Sequence, residues 1–410
     1  MTDLKKSLDL KEWIRPQGKS AENLLPRLLT AMRRHFGMEV AFISHFVEGR
    51  RRFEYVDADH PEPGIEPGAS DPLEDSYCQA IVDGRLPELI PDAQESAAAL
   101  EFPATRTFPI GAHLSVPLLL ANGQVYGTFC CFSRLPNHSL NPRDVEVLHT
   151  LADIASEVVQ AQAETEERLR VIRRRIESVQ EESLLSIVFQ PIFDVERGQI
   201  FGFESLSRFA CEPYRTPDVW FHEAREVGLH TQLELHAVEL ALESLDHLPS
   251  AAYLTLNVSP KVLLESDLTA LLRTHPLNRL ILEITENDQI DDYDSVDALL
   301  RPLRSDGLQL AVDDAGSGYA SLRHILLLKP NIIKLDVSIT HDIDVDPLRR
   351  SLASGLVEFS HASGMKLIAE GVDRTAELDT LRDIGADLSQ GFLLSRPLTS
   401  DQMQASHLWN

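Results

Sequence analysis

Residues 186–209 read SIVFQPIFDVERGQIFGFESLSRF, and this stretch decides the fold of the C-terminal half. Two apolar, β-rich runs, 186–194 and 200–209, are separated only by VERGQ (195–199). A parallel crossover needs about a dozen residues or more, so so short a connection closes a hairpin. Six further runs follow: AYLTLNVS (252–259), RLILEITE (279–286), LQLAVDD (308–314), IIKLD (332–336), KLIAEGV (366–372) and SQGFLL (389–394). From the second run onward most intervals carry helical patterns, among them FHEAREVGLHTQLELHAVELALESL, YDSVDALLRPLRSDG, DPLRRSLASGLVEFSHASG and RTAELDTLRDIG. Eight strands alternating with helices predict an α/β fold, a (β/α)8 TIM-like barrel. The hairpin makes its first strand run against the rest.

In such a barrel the chemistry sits at the C-terminal ends of the strands. Every run carries a polar residue at or near that end: Gln190, Glu204, Asn257, Glu283, Asp313 with Asp314, Lys334, Glu370 and Gln390. A rim residue satisfied by its neighbours accounts for any one of these taken singly. Together, six oxygen-bearing side chains (Glu204, Asn257, Glu283, Asp313, Asp314 and Glu370) converge on one mouth. Five are carboxylates, and their mutual repulsion calls for cations among them. An all-oxygen set without Cys or His favours Mg2+ or Mn2+. Two such ions sharing a carboxylate are a common device for phosphodiester hydrolysis. Lys334 stands where it can orient the attacking water or steady developing charge.

At these residues the sequence resembles the EAL domain, a family of phosphodiesterases that linearise cyclic di-GMP. The name motif stands here as Glu204-Ser205-Leu206, followed by Arg208. FQP (189–191), NVS (257–259), EITE (283–286), DDAGSGYASL (313–322), KLD (334–336), AEGVD (369–373) and QGF (390–392) follow in family order. The resemblance implies metal contacts from Glu204, Asn257, Glu283, Asp313, Asp314 and Glu370, with Asp313 bridging two ions. It implies catalytic roles for Glu204, Lys334, Glu370 and Asp314. It implies nucleotide contacts from Gln190, Arg208, Gln390 and Asp336, Arg208 gripping a phosphate, and it makes Glu286 the anchor of the loop that starts at Asp313. The implied reaction is hydrolysis of cyclic di-GMP to linear pGpG. The alternatives are a catalytically silent cyclic di-GMP receptor signalling through its dimer, and a metal-dependent phosphodiesterase for another nucleotide. The first alternative predicts gaps among the acidic positions, and there are none. Where the family commonly reads DDFGTGYSSL, this chain has Ala315 and Ser317. Loss of the ring predicts a looser loop, slower turnover, and a gain from Ala315→Phe. Ser205 in place of the usual Ala should point away from the metals.

The N-terminal half has a different character. Within residues 20–160 a helical pattern from Glu22 to Phe36 leads into MEVAFISHFVEG and RRFEYVDA. A short helix around DSYCQAIVDG follows, then AHLSVPLLL and QVYGTFCCFS, joined at Asn122-Gly123 as a hairpin. A closing helix starts near Asn141-Pro142. This order predicts an α+β sensor and resembles a GAF domain, a family that binds varied small ligands or none. Cys78 lies near the position where bilin-binding relatives attach a chromophore, but Gln79 follows it in place of their usual His; a plain buried cysteine is the other reading.

Residues 161–185 predict a helical linker to the barrel of residues 186–410. Leu169, Ile172, Ile176 and Val179 form a narrow coiled-coil-like stripe. That stripe predicts pairing with a second copy in a homodimer, or a helix lying on its own domain. Apolar residues at 43% and charged residues at 25% are ordinary for a globular chain and exclude wholesale disorder. The net charge of −26 argues against nucleic acid polymers as partners. Four cysteines with no CxxC pair suit a reducing cytoplasm. The N-terminal segment lacks the apolar core of a secretory signal, and no run is long enough to span a membrane. A second catalytic domain that synthesises the dinucleotide is not expected in the remaining length.

Overall fold

A computed structural model describes residues 24–212, 214–284, 290, 292–315 and 319–405. The chain divides into two compact units, Met1–Arg168 and Leu169–Asn410.

The first unit is built on an antiparallel six-stranded sheet. Its strands are β1 (Val40–Val47), β2 (Arg50–Ala58), β3 (Ser70–Pro72), β4 (Leu89–Ile90), β5 (Ala112–Leu119) and β6 (Val125–Ser133), in the order β3-β2-β1-β6-β5-β4. The expected hairpin joins β5 to β6 around Asn122-Gly123. Side chains alternate across the sheet, as period two requires. Ala41, Ile43, Phe129 and Cys131 meet the helix Leu24–Phe36 and the start of the helix Pro142–Glu181 on one face. Val40, Phe42, Cys130 and Phe132 meet Tyr77, Cys78 and Ile81 of the helix Tyr77–Val82 on the other.

The second unit is a closed barrel of eight strands: β7 (Leu185–Asp194), β8 (Ile200–Phe209), β9 (Tyr253–Val258), β10 (Leu280–Ile284), β11 (Gln309–Ala315), β12 (Ile332–Leu335), β13 (Lys366–Ala369) and β14 (Leu388–Ser389). Strand β7 pairs antiparallel with both β8 and β14, while the remaining ladders are parallel. The short VERGQ link therefore does what its length dictates.

Two expectations change. The run SQGFLL is mostly not strand, because β14 ends at Ser389. A Cβ on Gly391 would lie 2.1 Å from the carbonyl oxygen of Val372, so the chain turns there against neighbouring backbone. The stripe on residues 169–179 is not a free coiled-coil seam. Ile172, Ile176 and Val179 are buried against Leu185, Phe209, Trp220 and Leu233 of their own unit. An apolar stripe records only that something covers it; here the first strands and helices of its own unit do. The helix Pro142–Glu181 covers residues 161–181 of the expected linker, and β7 begins at Leu185. Among the described residues no helix is long and apolar enough to cross a membrane.

Candidate active site

The site is one layer of side chains set on another. Ile192, Ile281, Ala311, Ile332, Ile368 and Leu388, from six strands, form an apolar cluster inside the barrel. Two residues further along each parallel strand, on the same inward face, stand Glu283, Asp313, Lys334, Glu370 and Gln390. On β7 the step runs backwards, because the strand does, and gives Gln190. Register completes the layer: Gln190 pairs with Glu204, and Glu283 with Asn257.

These side chains surround a cavity of about 380 Å3, lined by Gln190, Glu204, Asp313, Lys334, Glu370 and Gln390. Lys334 is its centre and is only 1% exposed. Its Nζ lies 2.6 Å from Glu370, 3.2 Å from Asp313 and 3.4 Å from Glu204, and it also donates to Glu283. Gln390 Nε2 donates to the second oxygen of Glu204 at 2.5 Å. Asn257 Nδ2 lies 3.4 Å from Glu204 and from the Ser205 carbonyl. Gln190 Nε2 donates to the Ser395 carbonyl at 3.3 Å.

Four carboxylates thus share one ammonium. Burial pushes the Glu283 carboxyl well above the usual range, against the attraction of Lys334, and Asp313, Glu204 and Glu370 push it further. Glu370 is pushed up to about 8, by burial first and then, against Lys334, by its acidic neighbours. Burial works against the charge on Lys334, but Asp313, Glu204, Glu283 and Glu370 outweigh it and hold the ammonium.

Divalent cations fit this site by the chemistry of its donors. The donors are oxygens, negative charge exceeds positive, and Glu283 Oε2 is buried without a hydrogen-bond partner. Gln390 Oε1 is likewise unpartnered.

Other expected residues fall elsewhere. Arg208 lines a neighbouring cavity of about 230 Å3 with Ser205, Asn257 and Glu234, and its Nη1 donates to the Ser207 carbonyl at 2.7 Å. Leu206 lines both cavities. Asp336 caps the helix Val337–Thr340, accepting from Ser338 N at 2.9 Å. Glu286, Gly316, Ser317 and Gly318 lie outside the described residues, as does the side chain of Asp314. Ser205 turns away from the acidic cluster, as expected, and donates to the Thr255 carbonyl at 2.7 Å. Ala315 is fully buried among Val312, Ile325, Ile333 and Met365, so the missing ring leaves a packed position rather than a loose one.

The residues missed in the sequence are those that hold the frame. His230 Nε2 lies 2.9 Å from Glu234 Oε2 and 3.2 Å from Ser259 Oγ, and Glu234 accepts the Ser259 N–H. This buried set fixes the backbone two residues after Asn257. Its only trace in sequence is an i,i+4 pair on the helix His230–Glu243. Gly371 has φ +66°, and a Cβ there would meet Val337 at 2.3 Å. Gly371, Val337, Asp373 and Phe392 complete the cavity wall.

Comparison with known proteins gives matches for both units. Residues 172–397 match the EAL domain model, and residues 18–160 match that of the GAF domain. The bifunctional diguanylate cyclase/cyclic di-GMP phosphodiesterase MucR of Pseudomonas aeruginosa is 27% identical over 257 residues, 60% of this chain and 37% of that protein. The probable cyclic di-GMP phosphodiesterase PdeD of Escherichia coli is 28% identical over 218 residues, 51% of this chain and 41% of that protein. This chain therefore spans less than half the length of either relative. The solved PaMucR phosphodiesterase in complex with c-di-GMP aligns with a TM-score of 0.51 and 26% identity, over 57% of this chain and 99% of that one. The chain belongs to the EAL domain family, with a GAF domain preceding the barrel.

Proposed function

We propose that this chain hydrolyses cyclic di-GMP to linear pGpG with two divalent cations, Mg2+ or Mn2+. The observation that carries the reading is the set of four carboxylates around one ammonium, three of them lining the cavity. Glu204, Asn257, Glu283, Asp313, Asp314 and Glu370 would hold the ions. Divalent ions held there would supply charge neutralisation at the phosphodiester and a more acidic water. Lys334, kept charged by its neighbours, orients that water and steadies the charge that develops on phosphorus oxygens. Gln190 on β7 and Gln390, just past the end of the neighbouring β14, offer amide groups to the nucleotide. Arg208 turns from the Ser207 carbonyl to a phosphate, Asp336 contributes to nucleotide binding from its helix cap, and Glu286 anchors the loop after Asp313. The substrate is supported by the names of MucR and PdeD and by the c-di-GMP complex of PaMucR.

The GAF domain of residues 20–160 regulates turnover, and the protein works as a cytoplasmic homodimer. The stripe on residues 169–179 is used within the chain, so a second copy needs another surface. Leu322, Leu326, Leu327, Leu348 and Leu352 are exposed on two helices of the barrel unit. Sedimentation velocity at micromolar concentration should give a dimer; a fully active monomer refutes this part.

The activity is tested by incubating the protein with cyclic di-GMP and Mg2+ or Mn2+ and resolving the products, beside Glu204→Ala and a chelator control. Linear pGpG from the parent protein alone is expected. Tight binding without product identifies the receptor instead, and no binding overturns the substrate.

A further inference from the structure

We propose that Cys78 and Cys130 in the N-terminal unit form a peroxide-reactive dithiol that closes to a disulfide. Their sulfurs lie 3.5 Å apart, one on the helix Tyr77–Val82 and the other on β6, and both are fully buried. A disulfide needs about 2.05 Å between sulfurs, so closure brings this contacting pair about 1.5 Å nearer.

The two thiols are differentiated. Arg51 Nη1 donates to Cys78 Sγ at 3.2 Å, while the same guanidinium pairs with Asp71 and lies 4.8 Å from the centre of the Phe53 ring. Cys130 contacts Ser115 Oγ at 2.7 Å and Thr128 Oγ1 at 3.0 Å. Burial alone would push the Cys78 thiol up, but its hydrogen bond with Cys130 and the Arg51 charge outweigh it and hold Cys78 below the ordinary thiol range. Burial, and then the neighbouring Cys78, push Cys130 well above it. One sulfur is thus the attacking thiolate and the other the resolving thiol, the pairing that disulfide formation through a sulfenic acid requires.

The surroundings select the oxidant. Arg51, with Phe42, Tyr77, His113 and Phe132, lines a cavity of about 20 Å3. A cavity of that size holds about one water. Neither sulfur lines that cavity, but both are fully buried beside it, next to Arg51 and Phe132, and burial of this kind excludes a bulky disulfide such as oxidised glutathione and leaves a small hydroperoxide as the oxidant.

The chemistry balances. The Cys78 thiolate attacks one peroxide oxygen, and the O–O bond breaks. The departing hydroxide takes the proton that Cys78 had released and leaves as water, with Cys78 as a sulfenic acid. Cys130 attacks the Cys78 sulfur and loses its proton, the S–O bond breaks, and the second water leaves. Two thiols are oxidised by two electrons, and one peroxide is reduced to two waters.

The test uses the whole chain with a small excess of hydrogen peroxide, followed by thiol counting in denaturant and peptide mapping. The parent protein should fall from four free thiols to two, with Cys78 and Cys130 peptides cross-linked. Cys130→Ser should stop at a sulfenic acid on Cys78, trapped by dimedone. Oxidised glutathione should leave the pair reduced. Retention of all four thiols overturns the proposal, as does loss confined to Cys131 or Cys211, or equal reactivity toward oxidised glutathione. The parent measurement stands without any variant.

Discussion

Replacing Lys334 with methionine removes the one ammonium that Glu204, Glu283, Asp313 and Glu370 share. The stem is kept in volume, so the loss is electrostatic. Removing one partner of a buried ion pair costs about 3–5 kcal/mol, because the other charge is left uncompensated. For a unit of this size each kcal/mol moves the melting temperature by about 2–4 °C, which gives a drop of about 6–20 °C. The assay is thermal unfolding followed by circular dichroism, in chelator and in Mn2+. The drop should appear in chelator, and Mn2+ should recover most of it while turnover stays lost. The pH dependence has a fixed sign. Glu283 and Glu370 have folded-state pKa values raised above their unfolded ones. The stability tied to their protonation is complete below the unfolded value, near 4.3, and is lost as pH rises toward about 8 for Glu370. The deficit of Lys334→Met should therefore shrink at pH 5 and grow at pH 8. A variant that melts with the parent in chelator at pH 8, or whose deficit does not change with pH, refutes the charge balance described for this site.

Two further outcomes follow from the packing. Glu234→Gln keeps an oxygen for the Ser259 N–H but loses the charge on a bond that charge strengthens, a difference of about 1 kcal/mol. It should also weaken Mn2+ binding, because Ser259 follows Asn257 by two residues; unchanged affinity in a Mn2+ titration counts against that role. Ala315→Phe should cost about 1–3 kcal/mol by overpacking and should lower turnover. This reverses the gain expected from the loop motif alone, and a faster Ala315→Phe enzyme would restore that expectation.

The sequence by itself determined the architecture of the barrel. Period-two apolar runs, helical intervals and the VERGQ link dictate eight strands with one reversed, since connection length limits strand direction. It also named the acidic layer, because a charge in an otherwise apolar strand has few affordable places except a barrel mouth. Contacts between elements distant in sequence were decided only in three dimensions. The stripe on residues 169–179 shows an apolar face but not its cover, and the barrel's own Phe209 and Trp220 supply it. Ala315 is a missing ring in the sequence motif, but in the fold Ile325, Ile333 and Met365 pack around it. Cys78 and Cys130 stand far apart in the chain and carry no motif; the sheet's alternation and the helix above it bring their sulfurs to 3.5 Å. Strand register sorts the polar residues last. It joins Gln190, Glu204 and Gln390 around Lys334, while Arg208, on the same face of β8 but four residues further along, reaches the neighbouring cavity, because pairing between strands sets which stretch of each one meets the others.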